Sequence, residues 1–327
     1  MLANLLAVAG AEGLPASVVL GYADDPVVDV LGLDPDEAAP LELVPVGGDD
    51  PAPAPPAVEQ LAPETRPLSP DPVEYPLIRR AWDAGRLPDG DRAAAWRREA
   101  RERAPVGTRD PGDGERVPLD PVDRETASAR PLDRTIVRRG SCREYEREPV
   151  SYRKLSTVLD RAVRGAPLDV RRAGAGSGSD PPGDGDRSHP PLAFTDAYLV
   201  VNAVEDLPSG VYHYHPGAGA LERLERGEFR REAGHLALDQ RLGADAAVCV
   251  YLMTDVGAVT DALGDRGYRA AAVEAAVTAG RLYLATYAHR ALGGTGLTFY
   301  DDAVTEFLSP RAAGQTPAFL YTMGRPA

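Results

Sequence analysis

The sequence predicts an α+β fold: a mixed sheet flanked by helices, built as one nearly complete lobe plus the C-terminal fragment of a second lobe. Three observations carry this expectation. The two ends of the chain repeat one another; two apolar runs and one alternating run read as strands; and Arg266 to Arg290 reads as one long helix. Strands mixed irregularly with long helices imply a layered sandwich rather than a regular βαβ winding.

The repeat sets Asn4 through Gly47 against Arg281 through Gly324 without a gap. Leu5/Leu282, Ala11/Ala288, Leu20/Leu297, Asp24/Asp301, Val27/Val304, Leu31/Leu308, Pro40/Pro317 and Gly47/Gly324 are identical pairs, and Tyr22/Phe299 and Asp29/Glu306 are conservative ones. A register kept through two helices and two strands marks two copies of one folding unit. In the first copy, the expected elements are a helix (Asn4 to Glu12), a strand (Ala16 to Leu20), a short helix (Asp25 to Leu31) and a strand (Leu41 to Pro45). Gly13 supplies a helix stop, and Asp24-Asp25 places negative charge where a helix dipole favours it.

Residues 1–47 are therefore expected to be the C-terminal fragment of a first lobe. Residues 48–131 are rich in Pro, Asp and Arg, and stretches such as Pro51 to Pro56 propagate neither helix nor sheet, which predicts an extended linker. Two helical islands interrupt it, Glu74 to Ala84 and Arg92 to Arg103. The second lobe spans 132–327. Ser151 is placed to begin a helix with Leu155, Val158, Leu159 and Ala162 on one face. A Gly/Ser/Asp/Pro tract, 173–191, is expected to be a disordered loop. Strands follow at Ala197 to Asn202 and Gly210 to His215, then a charged helix (Gly227 to His235), a buried strand (Ala246 to Thr254) and the long helix.

Composition narrows the partners. Lys and Arg total 36 against 50 Asp and Glu, a formal charge of −14, and Lys154 is the only lysine. Nonspecific binding to nucleic acid or an anionic membrane needs a positive face, so neither partner is expected. Two cysteines, Cys142 and Cys249, are too few for a disulfide framework and lie away from any metal-ligand spacing. The apolar stretch Leu2 to Gly10 lacks the basic flank of a signal peptide and matches the tail of the long helix in the other copy. A cytoplasmic protein is the expectation.

The strongest chemical string is Arg138-Arg-Gly-Ser-Cys-Arg-Glu-Tyr145, in which two guanidinium forks flank a hydroxyl at alternate positions. That spacing suits a phosphate monoester. With Ile136 to Ala162 it resembles the opening of the FMN-dependent nitroreductase superfamily. Leu199-Val-Val-Asn202 and Leu207-Pro-Ser-Gly-Val-Tyr-His-Tyr214 resemble its SagB-type dehydrogenase branch, as do Arg266 to Arg269 with Glu274, and Met323-Gly-Arg-Pro326. Glu74 to Arg79 resembles the linker of members with two fused copies. The resemblance implies an oxidoreductase transferring hydride through the flavin N5, with NAD(P)H as possible electron donor and a small molecule or peptide as substrate. Arg139, Gly140, Ser141 and Arg143 would hold the FMN phosphate. Thr298 and Phe299 stand at the flavin-edge turn, and Arg325 lies on the terminal strand. No protein residue is assigned as catalytic, since the chemistry would belong to the flavin.

Departures from the family pattern bear on activity. Where members carry Pro-Ser-Ala-Gly-Gly, this chain has Ser188-His-Pro-Pro191; where the flavin-edge turn has Gly before an aromatic, it has Thr298, although Gly21 precedes Tyr22 in the first copy. The Lys-Tyr pair of azoline-oxidising members is replaced by Ala262-Leu263. A noncatalytic dimerisation or scaffold lobe is thus the alternative function. Either way, the resemblance implies a homodimer or pairing with a separate upstream lobe. His213 and His215 share a strand face without an apparent third ligand and read as surface histidines. Asp301-Asp302 reads as a helix start, Tyr283 and Tyr287 as packing, and Cys142 as an unreactive thiol.

Overall fold

The computed structural model describes residues 1–47, 60–62, 64, 66, 69–71, 73–103, 109–127, 130–170 and 193–327. The expected loop at 173–191 and the proline run at Pro51 to Pro56 lie outside these residues. In chain order the elements are α1 (Leu2–Ala11), α2 (Asp24–Leu31), α3 (Pro76–Ala84), α4 (Gly90–Arg103), β1 (Arg116–Pro118), α5 (Arg124–Ala127), α6 (Leu132–Arg138), β2 (Tyr145–Glu146) and α7 (Tyr152–Ala162). There follow β3 (Thr195–Val201), β4 (Gly210–His215), β5 (Ala220–Arg226), α8 (Arg230–Leu236), α9 (Arg241–Asp245), β6 (Val248–Thr254), α10 (Val256–Leu263), α11 (Arg266–Ala288), β7 (Gly293–Leu297), α12 (Asp301–Leu308) and β8 (Thr316–Pro326).

The α+β reading holds. One sheet runs in the order β1-β5-β4-β3-β6-β8-β2, with β7 also paired to β8, and the named strand pairs are antiparallel. Strands β3 and β6 are buried along their whole length because helices cover both faces. Ala197, Leu199 and Val201 pack with α7 and α11, while Tyr198 and Val200 pack with α8 and α12. The period-2 alternation of a strand divides the residues this way. At the entry to β3, Glu274 of α11 accepts hydrogen bonds from the amides of Ala193, Phe194 and Thr195 (2.7, 2.8 and 3.0 Å) and from the Thr195 hydroxyl. The buried carboxylate thereby satisfies three backbone donors and fixes the strand on the helix.

Some expected elements differ. The linker's end is built into the lobe: β1 extends the sheet beyond β5, and the Arg109 amide donates to Asp196 at 3.0 Å. The charged helix is shorter than expected and a second, α9, follows it. Helix α10 was not foreseen; Asp255 caps it by accepting from the Ala258 amide at 2.9 Å. Helix α7 does begin after Ser151, but without a side-chain capping bond.

The helices at the two ends match in the register of the repeat: α2 (Asp24–Leu31) answers to α12 (Asp301–Leu308), and α1 ends at Ala11 as α11 ends at Ala288. The strands expected at Ala16 to Leu20 and Leu41 to Pro45 are reduced to isolated bridges, Ala16 with Val46 and Val19 with Leu43, where the other end forms β7 and β8. Ala3 and Gly280, equivalent positions of the two copies, face each other. A Cβ on Gly280 would lie 2.5 Å from that of Ala3, so this glycine permits the close crossing of α1 and α11.

Asp24 and Asp301 then diverge. Asp301 is an exposed residue of the first turn of α12, as expected. Asp24 is fully buried: it accepts from Arg266 Nη1 at 2.6 Å, Arg269 Nη1 at 3.2 Å and the Leu87 amide at 2.7 Å. Arg266 also donates to the carbonyls of Leu20 (2.6 Å) and Gly85 (2.8 Å) and lies over the Tyr22 ring at 4.7 Å. Removing one partner of such a buried pair leaves an uncompensated charge. Asp24→Ala should therefore lower stability by about 3–5 kcal/mol, whereas Asp301→Ala should cost about 0.5 kcal/mol. Urea denaturation of the two variants measures the difference, and equal losses would refute the assignment.

Candidate functional site

The phosphate-type string follows α6. Its C-cap, Arg139, is extended, so residues 139–143 leave the helix as a ribbon laid along β7. The Cys142 amide donates to the Gly294 carbonyl at 3.1 Å. Further on, Tyr145 packs its ring against Gly324 and donates from its hydroxyl to the Thr322 carbonyl at 3.1 Å. Gly140, Ser141 and Arg143 are exposed and Arg139 is half-buried, with its guanidinium 4.9 Å from the Tyr283 ring centre. Neither the Arg139 nor the Arg143 guanidinium forms a hydrogen bond or ion pair among the described residues. Added Cβ atoms at Gly140 would meet nothing within 4 Å, which leaves the ribbon's backbone open to approach.

Arg325 lies on the same edge, where Glu146 pairs with it across the β2–β8 ladder. Its Nε is 2.9 Å from Glu146 Oε2, so its charge is already met by a carboxylate. Thr298 and Phe299 lie beyond the other end of β7. At about 3.4 Å per residue, Thr298 is about 17 Å along the strand from Gly293. Thr298 accepts from Gln240 Nε2 at 3.2 Å, and Phe299 packs into the core beneath α8 and α12. The structure thus gathers Arg139, Gly140, Ser141, Arg143 and Arg325 at one edge and sets Thr298 and Phe299 apart.

Tyr283 and Tyr287 do more than pack. The Tyr283 hydroxyl accepts from the Gly296 amide at 2.5 Å, and the Tyr287 hydroxyl donates to the Gly294 carbonyl at 3.2 Å. One face of α11 therefore clamps the strand under the ribbon. A Cβ on Gly294 would overlap the Tyr321 phenol, and one on Gly296 would lie 2.8 Å from the Phe319 ring. Burial pushes the Cys142 thiol above its ordinary pKa, in keeping with an unreactive cysteine. Ala262 and Leu263, where a Lys-Tyr pair was sought, belong to the apolar packing between α10 and α11.

His213 and His215 are not surface residues; both are buried. His213 Nε2 is 2.9 Å from Asp196 Oδ1, and His215 Nε2 is 2.8 Å from Glu222 Oε2. Glu222 comes from β5, the strand missing from the sequence reading, which is why no third ligand was evident. His213, His215 and Glu222 bring ligand-type atoms within 4.8 Å of one another. Arg311 Nη2, 3.3 Å from Glu222 Oε2, opposes a cation there. The arrangement is a histidine–carboxylate network tying β3, β4 and β5 to the segments at 109–114 and 311–315.

Clefts open elsewhere among the described residues. One, of about 830 Å³, lies between α1, α6, α7 and the end of α11; another, of about 810 Å³, lies between α8, α9 and α12. The ribbon at 139–143 lines neither. No helix among the described residues is long and apolar enough to cross a membrane.

No family model matches the chain. It is 27% identical over 198 residues to a provisionally named nitroreductase of Methanocaldococcus jannaschii, a match covering 59% of this chain and 90% of that protein. A crystal structure of a provisionally assigned nitroreductase from Anabaena variabilis is similar with a TM-score of 0.64 and 22% identity. That match covers 98% of this chain and 62% of the Anabaena chain, so the present chain spans under two thirds of that protein's length. A further provisionally assigned nitroreductase, from Ralstonia eutropha, has a TM-score of 0.48 and 22% identity, covering 68% of this chain and 95% of that one. The antiparallel sheet flanked by helices is the fold of the Anabaena structure, and the Methanocaldococcus relative supports the nitroreductase superfamily at the level of sequence.

The geometry makes two predictions. Gly294→Ala must displace Tyr321 and should cost about 1–3 kcal/mol by overpacking, read as a lower urea midpoint. Burial, followed by the neighbouring His213, lowers the His215 pKa; hydrogen bonds and Arg311 lower that of Glu222 against the opposing effect of burial. Both shifts have one sign for stability. As pH falls, the unfolded state takes up a proton at histidine near pH 6.5 before folded His215 does, and folded Glu222 resists protonation below its ordinary range. Stability should fall between pH 7 and 5 and further below pH 4.5; a flat profile of unfolding free energy would refute this.

Proposed function

We propose that the chain is an FMN-dependent, nitroreductase-like oxidoreductase of the SagB-type branch, with its flavin phosphate held by residues 139–143. The observation carrying this reading is a pair of guanidinium groups, Arg139 and Arg143, left without a carboxylate among the described residues, beside the exposed Ser141. In a chain with more acids than bases, and with Glu144, Glu146 and Glu148 next in sequence, such cations are apt for an anion from outside the chain.

The residues fit a phosphate. Arg139 and Arg143 offer charge-assisted hydrogen bonds, Ser141 offers a hydroxyl, and Gly140 leaves the backbone accessible. Bound FMN would supply hydride transfer at N5, with NAD(P)H as possible electron donor. The chain's own contribution is to position: α11 clamps β7 through Tyr283 and Tyr287, and β7 carries the ribbon at one end and Thr298-Phe299 at the other. The apolar Ala262-Leu263, half-buried and buried in turn, offers no base, so the substrate is a small molecule or peptide that does not rely on a base at that position. The close crossing of α1 and α11 at Ala3 and Gly280 supports a pairing of the two copies of the repeat within this chain; as an oligomer, a homodimer or a pairing with a separate lobe is proposed.

Absorbance spectra of the purified chain titrated with FMN test the reading. Arg139→Ala and Arg143→Ala should each weaken FMN binding about 10- to 100-fold, the equivalent of a charged hydrogen bond worth about 1.5–3 kcal/mol. Gly140→Ala should leave the urea midpoint unchanged while weakening FMN. Unchanged affinity in both arginine variants would refute the cradle. No flavin uptake, alone or with a complementary lobe, would favour the noncatalytic scaffold.

A further inference from the structure

The cleft of about 830 Å³ has a charge opposite to that of the chain. Among the described residues no Asp or Glu lines it, although Asp and Glu outnumber Lys and Arg by 50 to 36 overall. Basic side chains reach it from α5, α7, α11 and the segments between, and the chain's only lysine is one of them. Arg153 is balanced by Asp120 at 2.8 Å and Arg161 by Asp160 at 3.4 Å, Arg281 donates to the Arg164 carbonyl at 2.9 Å, and Arg124 is also engaged. Arg130, Lys154 and Arg290 form no ion pair among the described residues.

The simplest account of those three is that they serve the C-terminus of α11. Arg130 Nη1 does donate to the Tyr287 carbonyl at 3.0 Å, and Lys154 Nζ to the Arg290 carbonyl at 3.2 Å. A helix C-terminus carries only about half a negative charge. Three cations exceed it, and the excess is felt locally. Burial, then Lys154 and Arg130, lowers the His289 pKa; burial, then Arg138 and Arg290, lowers that of Arg130. The start of α7 adds to the positive potential, since Ser151 lines the cleft and makes no capping bond to the helix amides. Thr126, Thr135 and Thr157 also line the wall, but their hydroxyls donate within the chain, to Asp123 Oδ2, the Pro131 carbonyl and the Arg153 carbonyl, so the positive charge of the wall comes from its basic side chains.

We propose that this cleft binds a phosphorylated, polyanionic small molecule on the scale of a nucleotide. Its volume falls within the usual range of ligand sites, roughly 300–1,000 Å³. Arg130, Lys154 and Arg290 supply the charge, and the apolar Leu132, Leu284 and Ala285 supply a surface for an uncharged portion. The cleft is separate from the ribbon at 139–143, and the inference stands without the flavin reading.

Calorimetric titration of the full chain with ADP, inorganic pyrophosphate and adenosine at low ionic strength tests it. ADP or pyrophosphate should bind, more weakly as salt rises, and adenosine should not. Lys154→Glu with Arg290→Glu should weaken binding at least tenfold, as should the milder Lys154→Gln with Arg290→Gln, whose folding is checked by circular dichroism. Arg139→Ala with Arg143→Ala should leave binding intact. Absence of binding by both phosphates, equal binding of adenosine, indifference of a folded Lys154/Arg290 variant, or loss in the Arg139/Arg143 variant would each overturn the proposal.

Discussion

The ion pair of Asp24 with Arg266 and Arg269 is the constraint on which the arrangement depends. Charges removed from water are costly unless their remaining hydrogen-bonding groups are met, and in this cluster Arg269 Nη2 is the buried nitrogen left without a partner among the described residues. Arg266 is met by Leu20, Gly85 and Asp24, which lie before α2, after α3 and in α2. Three segments remote in sequence must therefore assemble together around the first turn of α11. From there the order propagates along the helix: Glu274 anchors β3, and farther on Tyr283 and Tyr287 clamp the glycine strand that carries the phosphate-type ribbon.

The two copies of the terminal repeat share backbone elements but have taken different surroundings. At Gly21 the linker helix α4 closes over the turn: Arg97 Nη1 donates to the Gly21 carbonyl at 2.7 Å, and an added Cβ would overlap Arg97 and lie 3.0 Å from the Trp96 ring. The amides of Leu20 and Gly21 are taken by Asp169. At the equivalent turn, Thr298 is exposed. The glycine retained in the N-terminal copy is thus explained by close packing within this chain, while the copy that lacks it presents its turn to the outside.

Much of the fold was legible because its signals are local. The repeat, the apolar runs of β3 and β6 and the length of α11 each lie in one contiguous stretch, and the string at 138–145 brings its arginines to one edge without help from elsewhere. The failures share a cause in non-local pairing. Strand β5 reads Ala-Leu-Glu-Arg-Leu-Glu-Arg, whose charges mask its alternation, and with it went Glu222 and the burial of both histidines. Arg325 was legible as a cation on the terminal strand, but its engagement by Glu146 depends on the β2–β8 register. The basic cleft was invisible for the same reason: its cations come from separate segments, each unexceptional in an arginine-rich sequence.

That Lys154 is the sole lysine has a chemical meaning beyond electrostatics. Guanidinium groups do not react with ordinary acylating reagents as amines do, so the ε-amine of this side chain is the one side-chain primary amine in the sequence. Lys154 is only partly covered, on the wall of a defined cleft. The fold has in effect placed a unique labelling handle there, where a fluorophore or cross-linker could be attached at one internal position of the native chain.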